Sequence, residues 1–251
     1  MTSHYQAWVL DLDGVIWIGD EPIPGAAAAV ESLRQAGRDV VFVTNMSALP
    51  TSVMEEKLAR HQIDAKGSVF TSAMAGASLV EPGERVYVVG GSGINEACEA
   101  RGATVVTSGP ADAVVAGMDF DFNYDSLSEA MNVVRGGARL IGTNHDPSYP
   151  TPDGLRAGGG SMVMAIAYAA EVEPIFAGKP AEAAANLVRS RLGSSGIMVG
   201  DRPDSDGLFA GQLGYDFGLV LTGVVGRDDL PVDPAPNHIA ASLAELVNDL
   251  N

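Results

Sequence analysis

Ala7-Trp8-Val9-Leu10-Asp11-Leu12-Asp13-Gly14-Val15 is the stretch that decides the fold, because an apolar run ends there in two carboxylates and a glycine. The apolar residues predict a buried β-strand. Residues i and i+2 of an extended chain point to the same side, so Asp11 and Asp13 can converge on one reacting group. Neighbouring carboxylates repel each other, and both staying ionised would normally require a bound cation. For this segment alone, the alternative is a strand followed by an ordinary Asp-Gly turn.

The segments that follow this strand predict an α/β fold. Residues 24–36 are Ala-rich, with Val30 and Leu33 on one face and Gly37 just beyond the end, which is typical of a helix with a glycine C-cap. Residues 39–43 form a second β-branched run. A strand, a helix and a second strand in this order are the unit of a parallel sheet.

The chain is predicted to contain two domains, one inserted into the other. Pro82-Gly83 breaks the first pattern, and a new strand-like run follows at residues 85–90. The pattern of residues 82–176 predicts a compact α/β insert, with one helix over residues 127–134 capped by Ser126 and Glu129. The first pattern resumes near Gly178, so residues 1–81 and 177–251 are predicted to form the core domain.

Composition excludes several classes of protein and of partner. The chain has 251 residues, 46% of them hydrophobic, and no apolar stretch of the length that a membrane span requires. Its net charge of −17 argues against general binding to nucleic acids or anionic membranes. The single cysteine, Cys98, cannot form an internal disulfide, and the first residues lack the pattern of a signal peptide. A cytoplasmic location is therefore expected.

Polar residues stand where several core strands end. The strand ends carry Asp11 with Asp13, Thr44 with Asn45, and Asp201, while Lys179 stands at the start of a helix. In an open parallel sheet, ligands bind outside the carboxyl ends of the strands. Carboxylates that bind Mg²⁺, beside neutral and cationic donors for phosphoryl oxygens, suit phosphoryl transfer.

These residues resemble the motifs of a known family, the haloacid dehalogenase superfamily of aspartate-nucleophile phosphatases. The four motifs appear in order as Asp11-Leu12-Asp13-Gly14, Thr44-Asn45, Lys179, and Gly200-Asp201-Arg202-Pro203-Asp204-Ser205-Asp206. The insert lies between the second and third motifs, as does the C2-type cap of the NagD and 4-nitrophenylphosphatase branch. The resemblance implies a Rossmann-like parallel-sheet core with an inserted α/β cap that closes over the site.

The resemblance also implies a role for each motif residue. Asp11 would be the nucleophile that forms an aspartyl-phosphate, and Asp13 would protonate the leaving alcohol and then deprotonate water. Mg²⁺ would be bound by Asp11, the backbone carbonyl of Asp13 and Asp201, with Asp206 in support. The substrate would be bound by Asp13, Thr44, Asn45, Lys179 and Arg202. The expected function is a Mg²⁺-dependent phosphatase of small phosphorylated metabolites, and the resemblance allows a homodimer.

Other readings of the sequence remain open. A catalytically idle sensor of phosphometabolites or nucleotides would use the same pocket, although it would not need a general acid. The glycine-rich residues 90–93 follow a predicted strand as a dinucleotide-binding loop does, but Glu96 occupies the place of its third glycine. His145 and Asp146 either reach the substrate from the insert or form an ordinary turn after a strand.

Overall fold

The computed structural model describes residues 5–151 and 154–250. In these residues the strands are β1 (Ala7–Leu10), β2 (Trp17–Ile18), β3 (Glu21–Pro22), β4 (Asp39–Thr44), β5 (Val69–Thr71), β6 (Arg85–Val89), β7 (Thr104–Val106), β8 (Ala113–Ala116), β9 (Arg139–Gly142), β10 (Ser148–Thr151), β11 (Gly154–Ala157), β12 (Ile175–Phe176), β13 (Gly196–Gly200), β14 (Asp216–Val220) and β15 (His238–Ala240). The helices are α1 (Ala26–Gln35), α2 (Thr51–Arg60), α3 (Ser72–Ala77), α4 (Ser92–Ala100), α5 (Tyr124–Arg135), α6 (Gly159–Ala170), α7 (Glu182–Arg189), α8 (Leu208–Leu213) and α9 (Leu243–Leu250). A π-helical turn at Pro203–Gly207 precedes α8, and a 3₁₀ turn lies at Arg227–Asp229.

The chain forms two compact units whose bounds differ from the predicted domains. The first unit comprises Met1–Thr44, Met54–Phe70 and Lys179–Asn251, and the second comprises Asn45–Val53 and Thr71–Gly178. The second unit thus includes α3, because this helix packs on the insert. A Cβ atom at Gly76 in α3 would lie only 3.3 Å from Thr143 and 3.4 Å from Val115.

The first unit is built on a sheet in the strand order β15-β14-β13-β1-β4-β5. Strand β1 pairs in parallel with β13 on one side and with β4 on the other. Val9, Leu10, Met198 and Val199 are completely buried, as expected for central strands covered on both faces. Because the chain continues to opposite sides of β1, the carboxyl end of β1 lies at the topological switch point where such sheets bind ligands.

The second unit contains a parallel sheet of its own, in the strand order β12-β9-β8-β6-β7. Its hydrophobic core combines buried residues of β6, β8 and β9 with those of α5 and α6, among them Val89, Val114, Leu140 and Ile166. Both units therefore have parallel sheets, which confirms the predicted α/β class.

Two parts of the sequence prediction differ from the structure. The cap predicted for the helix at residues 127–134 was wrong, because α5 begins at Tyr124 and its N-cap is Asn123. The Asn123 side chain accepts hydrogen bonds from the backbone N–H groups of Asp125 and Ser126, and the backbone N–H of Asn123 donates to the Ser126 hydroxyl oxygen. The two hairpins, β2–β3 and β10–β11, were not predicted, since β2 and β3 have only two residues each and β11 is exposed along its whole length, so neither hairpin gives the apolar run of a buried strand.

No helix in the part of the chain that the structure describes has the length and apolar character needed to cross a membrane.

Candidate active site

The central strands of the first unit place two of the predicted carboxylates. Leu10 of β1 lies opposite Val199 of β13, and the backbone N–H of Asp11 donates to the Val199 carbonyl at 2.9 Å. Asp201 directly follows the last residue of β13. Because the two strands run in parallel, both carboxylates lie at the same edge of the sheet.

Lys179 lies between two acidic side chains of this edge. Its ammonium nitrogen is 2.7 Å from Asp11 Oδ1 and 2.7 Å from Asp206 Oδ1. The side chains of Lys179 and Asp206 are 2% and 0% exposed, whereas the Asp11 side chain is 11% exposed. Burial would lower the pKa of Lys179, but the two carboxylates outweigh it and raise the pKa above its usual value. Lys179 is therefore charged, and of the two acids Asp11 is the one that a ligand reaches.

Asp206 supports this edge from the π-helical turn at Pro203–Gly207. Its Oδ1 accepts from Lys179, and its Oδ2 accepts from the backbone N–H of Arg202 at 3.1 Å. A Cβ atom at residue 200 would lie 2.1 Å from Asp206 Oδ2, so only glycine fits at the end of β13. Both carboxylate oxygens of Asp206 are thus hydrogen-bonded and its side chain is fully buried, so Asp206 holds the Lys179 ammonium in a fixed position.

Asp201 is held by a loop that the sequence analysis did not single out. The backbone N–H of Val224 donates to Asp201 Oδ2 at 2.6 Å, and a Cβ atom at Gly223 would lie 1.9 Å from the same oxygen. On the other side, Gly14 adopts a φ of 79°, and its Cβ atom would lie 2.6 Å from the Asp201 carboxylate. The Thr222 hydroxyl closes the arrangement by donating to the carbonyl of Gly14.

Thr222 carried a signal that was available in the sequence. It stands two residues beyond the end of β14, much as Thr44 is the last residue of β4, and polar residues at the carboxyl ends of parallel strands tend to serve the ligand-binding edge of the sheet.

Asp11, Asp201 and Asp206 have the character of a cation site. Each contributes a carboxylate oxygen, and these oxygens all lie within 4.8 Å of one another. Burial, followed by the neighbouring negative charge, raises the pKa of Asp201 to about 7; burial also raises that of Asp11 well above its usual value. These raised pKa values mean that keeping the buried carboxylates ionised costs free energy. A hard divalent cation would offset that cost by neutralising their charge, and Mg²⁺ prefers oxygen ligands. The residues therefore fit Mg²⁺.

Asp13 lies two residues after Asp11 and is exposed at the surface. Its Oδ1 accepts a hydrogen bond of 3.0 Å from the indole Nε1–H of Trp17. Surrounding protein atoms remove part of its hydration and raise its pKa, against the opposing effects of the Trp17 hydrogen bond and the positive charge of Lys57. This exposure and raised pKa suit a group that exchanges a proton with a ligand.

The remaining predicted binding residues occupy different parts of the chain. Thr44 is buried at the end of β4 in the first unit. The guanidinium of Arg202 forms a two-point contact with Asp204, at 3.3 and 3.0 Å, and the Asp204 side chain is exposed.

Asn45 belongs to the second unit, where neighbouring side chains hold it on both sides. Its Nδ2 donates to Asp146 Oδ2 at 3.0 Å. Its backbone carbonyl accepts from Asn144 Nδ2 at 2.8 Å and from Ser72 Oγ at 2.7 Å. Asp146 therefore orients the Asn45 amide, while the His145 ring packs against Phe176.

The glycine-rich loop at residues 90–93 packs against the chain's own backbone. A Cβ atom at Gly91 would lie 2.1 Å from the Ala48 carbonyl oxygen, and one at Gly93 would lie 2.2 Å from that of Leu49. The backbone N–H of Gly93 also donates to Ala48. These glycines serve close packing at the start of α4, which accounts for them without a bound dinucleotide.

Comparison with known proteins identifies the family. Residues 8–104 match the family model described as haloacid dehalogenase-like hydrolase, and residues 176–246 match the model described as HAD-hydrolase-like. The chain is 35% identical to the 5'-nucleotidase YutF of Bacillus subtilis, over 97% of this chain and 98% of that protein.

Two solved structures are similar over nearly the whole chain. The 4-nitrophenylphosphatase of Thermotoga maritima has a TM-score of 0.91 at 27% identity, covering 99% of this chain and 98% of that one. The glycerol phosphate phosphatase of Mycobacterium tuberculosis, crystallised in complex with magnesium, has a TM-score of 0.89 at 32% identity, covering 98% of this chain and 77% of that one. The resemblance seen in the motifs is confirmed, and the chain belongs to the haloacid dehalogenase-like hydrolases, in the branch of NagD-like and 4-nitrophenylphosphatase-like phosphatases.

Proposed function

We propose that this protein is a Mg²⁺-dependent phosphatase that hydrolyses small phosphomonoesters through an aspartyl-phosphate on Asp11. The observation that carries the proposal is the position of Lys179 between Asp11 and the buried Asp206, with Asp201 beside them. The names of the relatives support the substrate class, since they include a 5'-nucleotidase, a glycerol phosphate phosphatase and a 4-nitrophenylphosphatase.

In the first step, a carboxylate oxygen of Asp11 attacks phosphorus as the bond from phosphorus to the ester oxygen breaks. Lys179 fixes the Asp11 side chain and offsets negative charge on the nucleophile and the phosphoryl group. Asp13 gives its proton to the departing ester oxygen, so the alcohol leaves neutral. Thr44 would donate a hydrogen bond to the phosphoryl group, and Arg202 would contribute positive charge at the rim of the site.

In the second step, Asp13 is ionised and acts as the base. It takes a proton from a water molecule whose oxygen attacks phosphorus, and the bond from phosphorus to Asp11 breaks to release inorganic phosphate. The same carboxyl group thus serves both steps, first as acid and then as base. The exposure of Asp13 supports this role, because the group must meet both the alcohol and the water.

Asp11, Asp201 and the backbone carbonyl of Asp13 would hold Mg²⁺, with Asp206 in support. When bound, Mg²⁺ would supply positive charge to the phosphoryl oxygens and to the carboxylates around them. Val224 and Gly223 hold the Asp201 carboxylate in one orientation, which supports its assignment as a ligand.

The test is hydrolysis of 4-nitrophenyl phosphate by the purified protein, with Mg²⁺ and with EDTA. We expect activity only with Mg²⁺ and no activity in Asp11→Asn. Acid quenching during turnover should leave a phosphate adduct that mass spectrometry locates on Asp11. Asp228→Asn is the matched control, because Asp228 is exposed in the 3₁₀ turn and should not matter. Full activity in Asp11→Asn would exclude the proposed nucleophile.

A further inference from the structure

Trp17 makes a direct contact with the carboxyl group proposed to move the proton. Its Nε1 lies 3.0 Å from Asp13 Oδ1, and the Trp17 side chain is only 1% exposed. A buried indole N–H without an acceptor would cost free energy, so the bond to Asp13 satisfies a donor that water does not reach.

The ring that carries this donor is held firmly in place. The Lys57 ammonium lies 4.3 Å from the centre of the Trp17 ring, and the His61 ring lies 5.8 Å from it. Lys57 also donates to the Gly19 carbonyl at 2.6 Å and pairs with Asp20 at 3.3 Å. Lys57 thereby ties the turn between β2 and β3 to α2, and a cation placed over an indole face adds further attraction.

The backbone links the two residues as well. Gly14 donates its N–H to the Trp17 carbonyl at 2.7 Å, and Trp17 donates its N–H to the Leu12 carbonyl at 3.2 Å. Asp13 therefore lies in a closed turn whose end is Trp17. The position of the Trp17 ring is therefore coupled to that of the main chain that carries Asp13.

We propose that Trp17 is a positioning residue that orients the carboxyl group of Asp13 for proton transfer to the leaving alcohol. This inference rests on the proposed phosphatase function. An indole N–H can only donate, so Asp13 Oδ1 acts as the acceptor and the proton occupies Oδ2. From Oδ2 the proton passes to the ester oxygen as its bond to phosphorus breaks.

This role predicts an effect that depends on the leaving group. An alkyl phosphate expels an alcohol that needs a proton, whereas 4-nitrophenyl phosphate expels a phenolate that is stable without one. Loss of the Trp17 donor should therefore slow hydrolysis of the alkyl ester selectively. The relevant constant is kcat/KM, which reports the steps up to formation of the phosphoenzyme.

The experiment compares glycerol phosphate with 4-nitrophenyl phosphate in Trp17→Phe. Phenylalanine keeps an aromatic ring beside Lys57 but removes the N–H. We expect kcat/KM for glycerol phosphate to fall about tenfold, the size expected for a lost hydrogen bond to a carboxyl group that gains negative charge as it gives up its proton. For 4-nitrophenyl phosphate it should change by no more than about twofold. Equal losses for the two esters, or no loss, would overturn the proposal.

Trp8→Phe is the matched control within this chain. Trp8 is the other tryptophan, is also 1% exposed, and donates its Nε1–H to the Tyr5 carbonyl at 3.2 Å. Its replacement removes a comparable buried hydrogen bond away from Asp13. The ratio of the two kcat/KM values should stay that of the wild type, and a selective loss in this variant would also count against Trp17.

A measurement that needs no activity tests the hydrogen bond itself. In protein labelled with ¹⁵N-tryptophan, the two indole N–H signals can be assigned from Trp8→Phe. In Asp13→Ala the Trp17 proton signal should move upfield, because its acceptor is gone, and an unchanged signal would overturn the proposal. Wild-type protein inactive on both esters would refute the phosphatase function, whereas active protein with an unchanged ratio in Trp17→Phe would refute only the role of Trp17.

Discussion

Lys179 Nζ lies 2.7 Å from Asp11 Oδ1, an ion pair in which the lysine side chain is 2% exposed. Lys179→Met would leave Asp11 and Asp206 buried without this partner. Breaking a buried pair in this way typically costs about 3–5 kcal/mol. We expect a large fall in the free energy of unfolding, measured with urea, and loss of phosphatase activity.

Lys66→Met is the control for this prediction, because Lys66 is exposed in the loop before β5. Its stability and activity should match those of the wild type. A Lys179→Met protein as stable as Lys66→Met would mean that the buried pair contributes nothing.

Asp201→Asn should weaken Mg²⁺ binding. The amide keeps the shape of the side chain but removes a negative charge from the three clustered carboxylates. Titration calorimetry and the rise of the unfolding temperature with added Mg²⁺ would measure the change. Asp204→Asn, in the same loop but with an exposed side chain, should keep the wild-type affinity for Mg²⁺.

Gly223→Ala tests the loop that holds Asp201. The added Cβ atom would lie 1.9 Å from Asp201 Oδ2, so the carboxylate or the loop must move. We expect a loss of Mg²⁺ affinity similar to that of Asp201→Asn. Gly211→Ala adds the same atom within α8, where no heavy atom beyond the neighbouring backbone of the helix lies within 4 Å, and should raise stability by up to about 1 kcal/mol. Unchanged Mg²⁺ affinity in Gly223→Ala would contradict the proposal that this loop holds the Asp201 carboxylate in the orientation that binds Mg²⁺.

The metal-free protein should lose stability as the pH rises. Burial, with the nearby charge of Asp206, raises the pKa of folded Asp201 to about 7, against 3.8 for an ordinary aspartate. Between these values the folded state binds more protons than the unfolded state, so the free energy of unfolding falls as the pH increases. Burial raises the pKa of Asp11 in the same direction. The hydrogen bond from Val224 and the positive charges of Lys179 and Arg202 oppose the shift of Asp201.

Thermal unfolding in EDTA between pH 5 and pH 8 would measure this slope. Mg²⁺ should reverse it, because binding of a metal to carboxylates displaces their protons. A metal-free protein that is more stable at pH 8 than at pH 5 would contradict the pKa assigned to Asp201.

Cys98 should be unreactive in the folded protein. It is completely buried in α4, and burial together with Glu99 raises its pKa to about 11. Thiolate is the reactive form, so a disulfide reagent such as Ellman's reagent at pH 8 should modify Cys98 only after denaturation. Rapid modification without denaturant would show that α4 opens readily.

The sequence predicted the site better at the ends of buried, apolar strands than elsewhere. Asp11 and Asp201 follow apolar runs whose burial is unmistakable, so their shared edge followed from strand direction alone. The contact of Trp17 with Asp13 depends instead on a hairpin whose strands have two residues each, and on Lys57, which is distant in sequence. Likewise, Val224 binds Asp201 through its backbone N–H, and a backbone contact cannot be predicted from the type of residue.

The scarcity of lysine has a practical consequence. Of the three lysines, Lys179 is buried between carboxylates and Lys57 is 16% exposed and engaged with Asp20 and Trp17, whereas Lys66 is exposed. Amine-reactive dyes and supports should therefore couple to Lys66 in preference to the other two. Among the lysines, Lys66 would then carry the label or the attachment, and the proposed catalytic ammonium of Lys179 would be shielded from the reagent.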